Sequence, residues 1–203
     1  MIYLYLIFNL FKRLIHQPIT MSLLSSEKPN ILVAYSDKDK YISNCDKFPW
    51  GRISTDFMFM KDIIKEDNIV LIMGRRTYEV SKMKSHKKII VTKQKIDGEL
   101  TVDSIDKAIT VAKEMKRKIL IFGGENIYRE VLENYKYKLI ATIFEQENME
   151  GDRVFPIKED KDKFTNIHRY VLERLENMEP KKWEYDGKFL ENGKKFGFYI
   201  YEN

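Results

Sequence analysis

KILIFGGENIYREVLENY, residues 118 to 135, carries two different periods on either side of a pair of glycines. Lys118 to Phe122 is a short, nearly continuous apolar run of the kind that lies buried on both faces of a sheet. Beyond Gly123 and Gly124, Ile127, Val131, Leu132 and Tyr135 recur at helical spacing. A strand that passes through Gly-Gly into a helix leaves bare backbone N–H groups at the helix start, where a pyrophosphate can approach without meeting a Cβ. The plainer reading is a tight strand-to-helix turn, which also asks for glycine.

The same alternation extends outward. ILVAYS (31 to 36), IVLIMG (69 to 74) and KIIVT (88 to 92) are further apolar runs, and SIDKAITVAKEMKRK sets Ile105, Ala108, Ala112 and Met115 at helical spacing behind a cap at Asp103 or Ser104. Strand alternating with helix predicts an α/β domain with a mostly parallel central sheet and flanking helices. KLIATIFEQ (138 to 146) and KKFGFYIYE (194 to 202) are long strand-like segments with no strong helix pattern between them. That ending predicts an antiparallel C-terminal edge.

Composition narrows the class. A chain of 203 residues, 43% hydrophobic and 13% aromatic, can bury a full core and is read as one domain. Its one cysteine, Cys45, excludes an internal disulfide, and His16, His86 and His168 have no metal-ligand spacing, so no metal is expected. The net charge is +5, and the lysines at 82 to 88 and 116 to 118 lack the interleaved aromatics of a nucleic-acid surface. MIYLYLIFNLF, residues 1 to 11, is too short to span a bilayer, and Lys12 and Arg13 follow it where a secretory signal would carry them in front. We read residues 1 to 20 as an apolar extension and residues 21 to 203 as a single cytoplasmic domain beginning at Met21. Organelle targeting by the extension stays open.

Two more junctions carry chemistry. In FPWGRISTDFMFM, Phe48 to Met60, one acid precedes a run of large apolar side chains. Asp56 is either a first-turn anion favoured by the helix dipole or a charge at the bottom of an apolar pocket, beside Phe57 and Met60. In IMGRRTYEV, Arg75 and Arg76 follow Gly74 at a helix start, the end that disfavours positive charge. Two guanidinium groups there suit a phosphate monoester, with Lys93 as a third charge, and an ordinary basic surface is the alternative.

Taken in order, these marks resemble the dihydrofolate reductase family. They are Val33-Ala34, Phe48-Pro49-Trp50 followed by Asp56, Met73-Gly74-Arg75-Arg76-Thr77-Tyr78, the Ile89 to Thr92 strand, Phe122-Gly123-Gly124 with Ile127-Tyr128, Thr142, Gly151-Asp152 with Phe155-Pro156, and the closing FGFYIYE. The resemblance covers residues 30 to 203 and implies hydride transfer from NADPH to the pterin C6 of dihydrofolate, with a proton delivered to N5. It implies that Asp56 accepts from the pterin amino group and ring N–H, that Thr142 supports Asp56, and that Trp50 walls the site. Val33, Ala34, Phe57, Met60, Phe122 and Tyr128 would hold the ring. For the cofactor it implies Gly123 and Gly124 at the pyrophosphate, with Glu125, Asn126, Ile127 and Tyr128 behind them. Gly74, Arg75, Arg76, Thr77, Thr92 and Lys93 would surround the adenosine phosphate. Ala34 and the loop of Ile42, Ser43, Asn44 and Phe48 would close on the nicotinamide. A monomer is expected.

The chain departs from the family at three places. Ser43 stands where the mobile loop usually has glycine, and Met60 replaces a usual phenylalanine. EVSKMKSHKKII, residues 79 to 90, is short and lacks the arginine for the folate tail, leaving His86 with Lys84, Lys87 and Lys88 to meet that carboxylate. Two other classes therefore remain: an NADPH-dependent reductase of a riboflavin precursor on the same fold, and a non-catalytic RNA- or ligand-binding relative.

Overall fold

The computed structural model describes residues 23 to 66, 68 to 81, 83, 86 to 176 and 182 to 203. The extension at residues 1 to 20, the start at Met21, and Lys84 lie outside them.

The apolar runs form the strands that their pattern predicts. β1 (Asn30–Ser36), β3 (Ile69–Gly74), β4 (Lys88–Val91), β6 (Lys118–Gly123) and β7 (Lys138–Phe144) are buried along most of their length. With the short β5 (Thr101–Val102) they make the parallel part of the sheet, in the order β7, β1, β6, β3, β4, β5. β12 (Lys194–Glu202) runs antiparallel beside β7 and is followed outward by β11 (Phe189–Glu191) and β10 (Glu184–Tyr185), with β9 (Thr165–Asn166) also on β12. A two-stranded ribbon of β2 (Tyr41–Ser43) and β8 (Arg153–Val154) stands apart.

Five helices cover the sheet among the described residues: α1 (Ser54–Ile64), α2 (Arg75–Ser81), α3 (Ile105–Glu114), α4 (Glu125–Asn134) and α5 (His168–Leu175). Strand alternation sorts their partners. Leu32, Leu71, Met73, Leu120, Ile140 and Phe144 face α1 and α5, while Ile31, Val33, Ile72, Ile121, Ala141 and Ile143 face α3 and α4. Two details differ from the sequence reading. Ser104 caps α3, accepting from the Lys107 N–H at 3.3 Å, but Met115 at its C-cap is exposed and Ile109 takes the inner position. A helix does form between β7 and β12, since α5 buries His168, Val171 and Leu175. It makes no parallel crossover, because β12 returns antiparallel to β7.

β1 and β3 are successive strands of the main sheet along the chain, yet β6 lies between them. The chain thus changes direction across the sheet at β1 and β6, and the carboxyl ends of such strands are where open α/β sheets bind ligands.

Candidate active site

Asp56 sits in the first turn of α1. Ile53, in extended conformation, precedes that helix and supplies no side-chain cap. The cap arrives from β11 instead: the Glu191 carboxylate, 2% exposed, accepts from the Ser54 N–H at 2.7 Å, the Thr55 N–H at 3.0 Å and the Thr55 hydroxyl at 2.7 Å. The helix buries Phe59, Ile63 and Ile64, which turns the next residue of its first turn, Asp56, toward β7. There the Thr142 hydroxyl donates to it. Asp56 is hemmed in by protein on its flanks yet keeps a partly accessible surface. Burial pushes its carboxyl up to about 6; Thr142 opposes the shift and the negative charge of Glu191 adds to it.

Apolar and aromatic groups surround this acid. Ala34 is the register partner of Thr142 across β1 and β7, and Ala34, Phe122, Met58 and Met60 pack on the same core cluster as the buried Trp50. Trp50 stacks on Phe144 at a centroid distance of 4.1 Å and on Phe48 at 5.7 Å. Phe48, 45% exposed, also meets the edge of Phe57, over whose ring Arg52 lies. An exposed aromatic seated on a buried stack is a surface ready to cover a flat ligand.

The second part of the site lies where β3 and β6 end. Gly123 has φ +98, and a Cβ there would fall 2.9 Å from the Tyr128 ring; one on Gly124 would come 3.2 Å from the Thr77 hydroxyl. The Gly123–Gly124 peptide is cis. A Cβ on Gly74 would fall 3.3 Å from the Ile127 side chain and 3.9 Å from the Gly123 carbonyl, so the turns leading into α2 and α4 lie side by side. Further along the edge, Thr92, Lys93, Lys95, Thr101, Asp103 and Lys107 line a groove of about 340 Å³. Close backbone at the paired turns and cationic groups along the groove suit a phosphate-bearing cofactor.

A family model described as dihydrofolate reductase matches residues 30–187. The chain belongs to the dihydrofolate reductase family. It is 34% identical over 130 residues to a dihydrofolate reductase of Buchnera aphidicola subsp. Acyrthosiphon pisum (strain APS), a match spanning 62% of this chain and 77% of that one. A dihydrofolate reductase of Buchnera aphidicola subsp. Baizongia pistaciae (strain Bp) is 35% identical over 134 residues, 63% of this chain and 76% of its own. Dihydrofolate reductase type 1 of Escherichia coli is 29% identical over 134 residues, 64% and 82% respectively. The protein is thus an oxidoreductase of that family, and its fold is the dihydrofolate reductase fold.

Within this reductase the residues expected from sequence divide into groups. Asp56, Thr142, Trp50, Ala34, Met60 and Phe122 come together on the α1 face. Val33 and Tyr128 pack in the opposite cluster, under α3 and α4, and the Tyr128 hydroxyl is taken up by the Leu32 carbonyl at 2.8 Å. Tyr128 therefore braces Gly123 and β1, and neither its ring nor the Val33 side chain shares the cluster around Asp56. Lys88 is committed too: its side chain is 4% exposed and pairs with Glu99 at 3.1 Å, to which the Tyr78 hydroxyl also donates. For the folate tail that leaves the half-buried His86 and the exposed Lys87 among the described residues. Glu125 accepts from the Val154 N–H and pairs with Arg129, tying α4 to β8, while Asn126 is exposed.

The loop that would meet the nicotinamide has an order of its own. Asn44 and Lys47 exchange both backbone hydrogen bonds around Cys45 and Asp46, whose φ values of 49 and 62 make a tight hairpin turn of the primed type. Ser43 needs no positive φ; its hydroxyl donates to Asp152, whose N–H donates back to the Ser43 carbonyl. At the tip, Asp46 receives Arg76 through two parallel bonds of 2.8 and 3.0 Å. Arg75 pairs with Glu79. Sequence reading missed Asp46 and Glu191 because each acts on a residue far along the chain.

Proposed function

We propose that this protein reduces 7,8-dihydrofolate to tetrahydrofolate with NADPH, the reaction that the names of its relatives state for them supplying the substrate. The observation that carries the reading is Asp56, a carboxyl in the first turn of α1 that accepts from Thr142 of β7 beside the stacked rings of Phe48, Trp50 and Phe144. Two acceptor oxygens at fixed spacing match the parallel amino and ring N–H donors of a pterin, and a partly enclosed pocket strengthens that pairing. The raised carboxyl also retains its proton closer to neutrality than a solvated one does, so its ionised form holds the pterin with two acceptors while its protonated form can serve as an acid within the site.

A bound dihydronicotinamide supplies the hydride to C6. The chain's own part is alignment: Ala34 within β1 leaves room beside the pterin, Trp50 and Phe48 exclude water, and Phe122 and Met60 flank the ring. Preference for NADPH over NADH rests on the arginines of α2 and on the lysine-lined groove at β4 and β5. The deciding experiment mixes purified protein, NADPH and dihydrofolate and follows nicotinamide absorbance. Dihydrofolate-dependent oxidation is expected, with kcat/KM falling as pH rises through about 6. Oxidation seen only with a riboflavin precursor would overturn the assignment.

A further inference from the structure

Glu191 is a buried acid that the reaction does not touch. Along β11, Phe189 and Glu191 face inward and Leu190 outward, so the pleat itself drives this carboxylate into the interior. The turn that follows, Asn192-Gly193 with φ 51 and 69, fixes β11 on β12 and leaves the strand no freedom to withdraw the side chain. No cation pairs with Glu191 among the described residues. Its partners are two backbone N–H groups and one hydroxyl of the α1 start, a charge-assisted cap that also favours the helix dipole. Asp56 is the residue next to Thr55, so two carboxylates share one helix end, each held by a threonine: Thr55 on Glu191 and Thr142 on Asp56.

We propose that Glu191 is a positioning residue for the reductase reaction, which pins the first turn of α1 and holds a second negative charge beside Asp56. The geometry gives it both tasks. A neutral cap would have served the helix end at no electrostatic cost to Asp56, and Ile53, the residue at the cap position, supplies none. The groups that act on Asp56 from the elements around it are Thr142 of β7, which favours the ionised form, and Glu191 of β11, which disfavours it. Like charges in a partly enclosed site oppose each other's ionisation, so Glu191 acts on Asp56 against Thr142.

This inference rests on the reading of Asp56 as the pterin's partner, and its test separates the two. Label aspartate carboxyl carbons, assign Asp56 as the resonance lost in Asp56→Asn, and titrate it in the ligand-free parent, Glu191→Gln and Glu191→Asp. The expected result is a midpoint near 6 in the parent, lower by half a unit or more in Glu191→Gln, and closer to the parent in Glu191→Asp, which keeps the charge. The pH profile of kcat/KM for dihydrofolate should move with it, so that turnover at neutral pH falls by about threefold to tenfold in Glu191→Gln while NADPH affinity is unchanged. A Glu191→Gln variant with lowered melting temperature but an unmoved Asp56 midpoint would overturn the proposal and leave Glu191 a helix cap only. Should the Gln variant fail to fold, an Asp variant whose midpoint drops to an ordinary carboxylate value overturns it equally. A parent without dihydrofolate turnover whose Asp56 still responds to Glu191 would refute the proposed function and not the coupling.

Discussion

Asp56 is held in a site that favours its neutral form, so the folded protein binds the proton more tightly than the unfolded chain does. The sign follows from linkage: this contribution to stability is fully present below the unfolded value of 3.8 and is lost as pH rises through about 6. Asp56→Asn removes an unfavourable charge at neutral pH. We expect the ligand-free variant to gain about 2–3 kcal/mol there and nothing at low pH, measured by urea unfolding on either side of the midpoint. The same change should abolish most dihydrofolate turnover, because an amide offers the pterin one acceptor where the carboxylate offers two. A variant that lost stability at neutral pH would show that Asp56 is ionised at little cost.

At the scale of elements, the loop between β2 and α1 and the start of α2 are joined by one exposed pair, Arg76 with Asp46. Arg76 cannot fork onto a phosphate and onto Asp46 with the same donors, so a cofactor phosphate held there would have to replace Asp46. Asp46→Asn should therefore tighten NADPH several-fold and leave NADH unaffected, as read by fluorescence titration at low salt. Equal changes for both cofactors would show that the pair only holds the loop. α5 against β12 gives a second case. A Cβ on Gly197 would fall 2.5 Å from Nε2 of the buried His168, whose ring also packs edge-on to Tyr199 and Phe189. Gly197→Ala should cost about 1–3 kcal/mol of stability without changing the Michaelis constants, because the clash lies behind the strand that carries no pocket residue.

At the scale of the molecule, Leu23 and Leu24 already belong to the core among the described residues. Leu23 and Leu24 are each 3% exposed within the α1-side core, and the Asn30 side chain ties the segment down through bonds to Ser25 and to the Ile119 carbonyl. A chain starting at Met21 should keep the melting temperature and activity of the full protein, whereas one starting at Ser25 should lose about 2–5 kcal/mol with those two leucines. Differential scanning calorimetry of the three lengths checks this. The acid limit of the whole fold has two sources. Burial, then the neighbouring charge of Lys188, holds His168 below its usual value, and the ammonium groups of Lys161 and Lys188 outweigh burial to hold Glu145 at about 2. Both depressed groups lend stability above their unfolded values and withdraw it as pH falls, opposite in sign to Asp56.

The α/β alternation, the Gly-Gly turn, the first-turn acid and the paired arginines were all legible in the sequence because each is a local signal: a hydrophobic period, a residue without a Cβ, a charge at a helix end. So was the antiparallel last strand, from its length and from the weakness of the pattern before it. The family resemblance also implied Val33 and Tyr128 as pocket residues, whereas their side chains pack in the opposite cluster. Which face of a buried strand looks at which helix depends on where that helix is laid down, since a strand apolar on both faces carries no sign of it. Tertiary structure alone decided that Asp46 would meet Arg76, that Lys88 would be consumed by Glu99, and that the cap of α1 would come from Glu191. These pairs lie 30, 11 and more than 130 residues apart, and only the folded sheet brings them within hydrogen-bond reach. The sequence by itself determined the chemistry available at the strand ends, because turns and periods are short-range physics. How firmly Asp56 holds its proton there was decided by packing, because a carboxyl's pKa is set by what surrounds it in space.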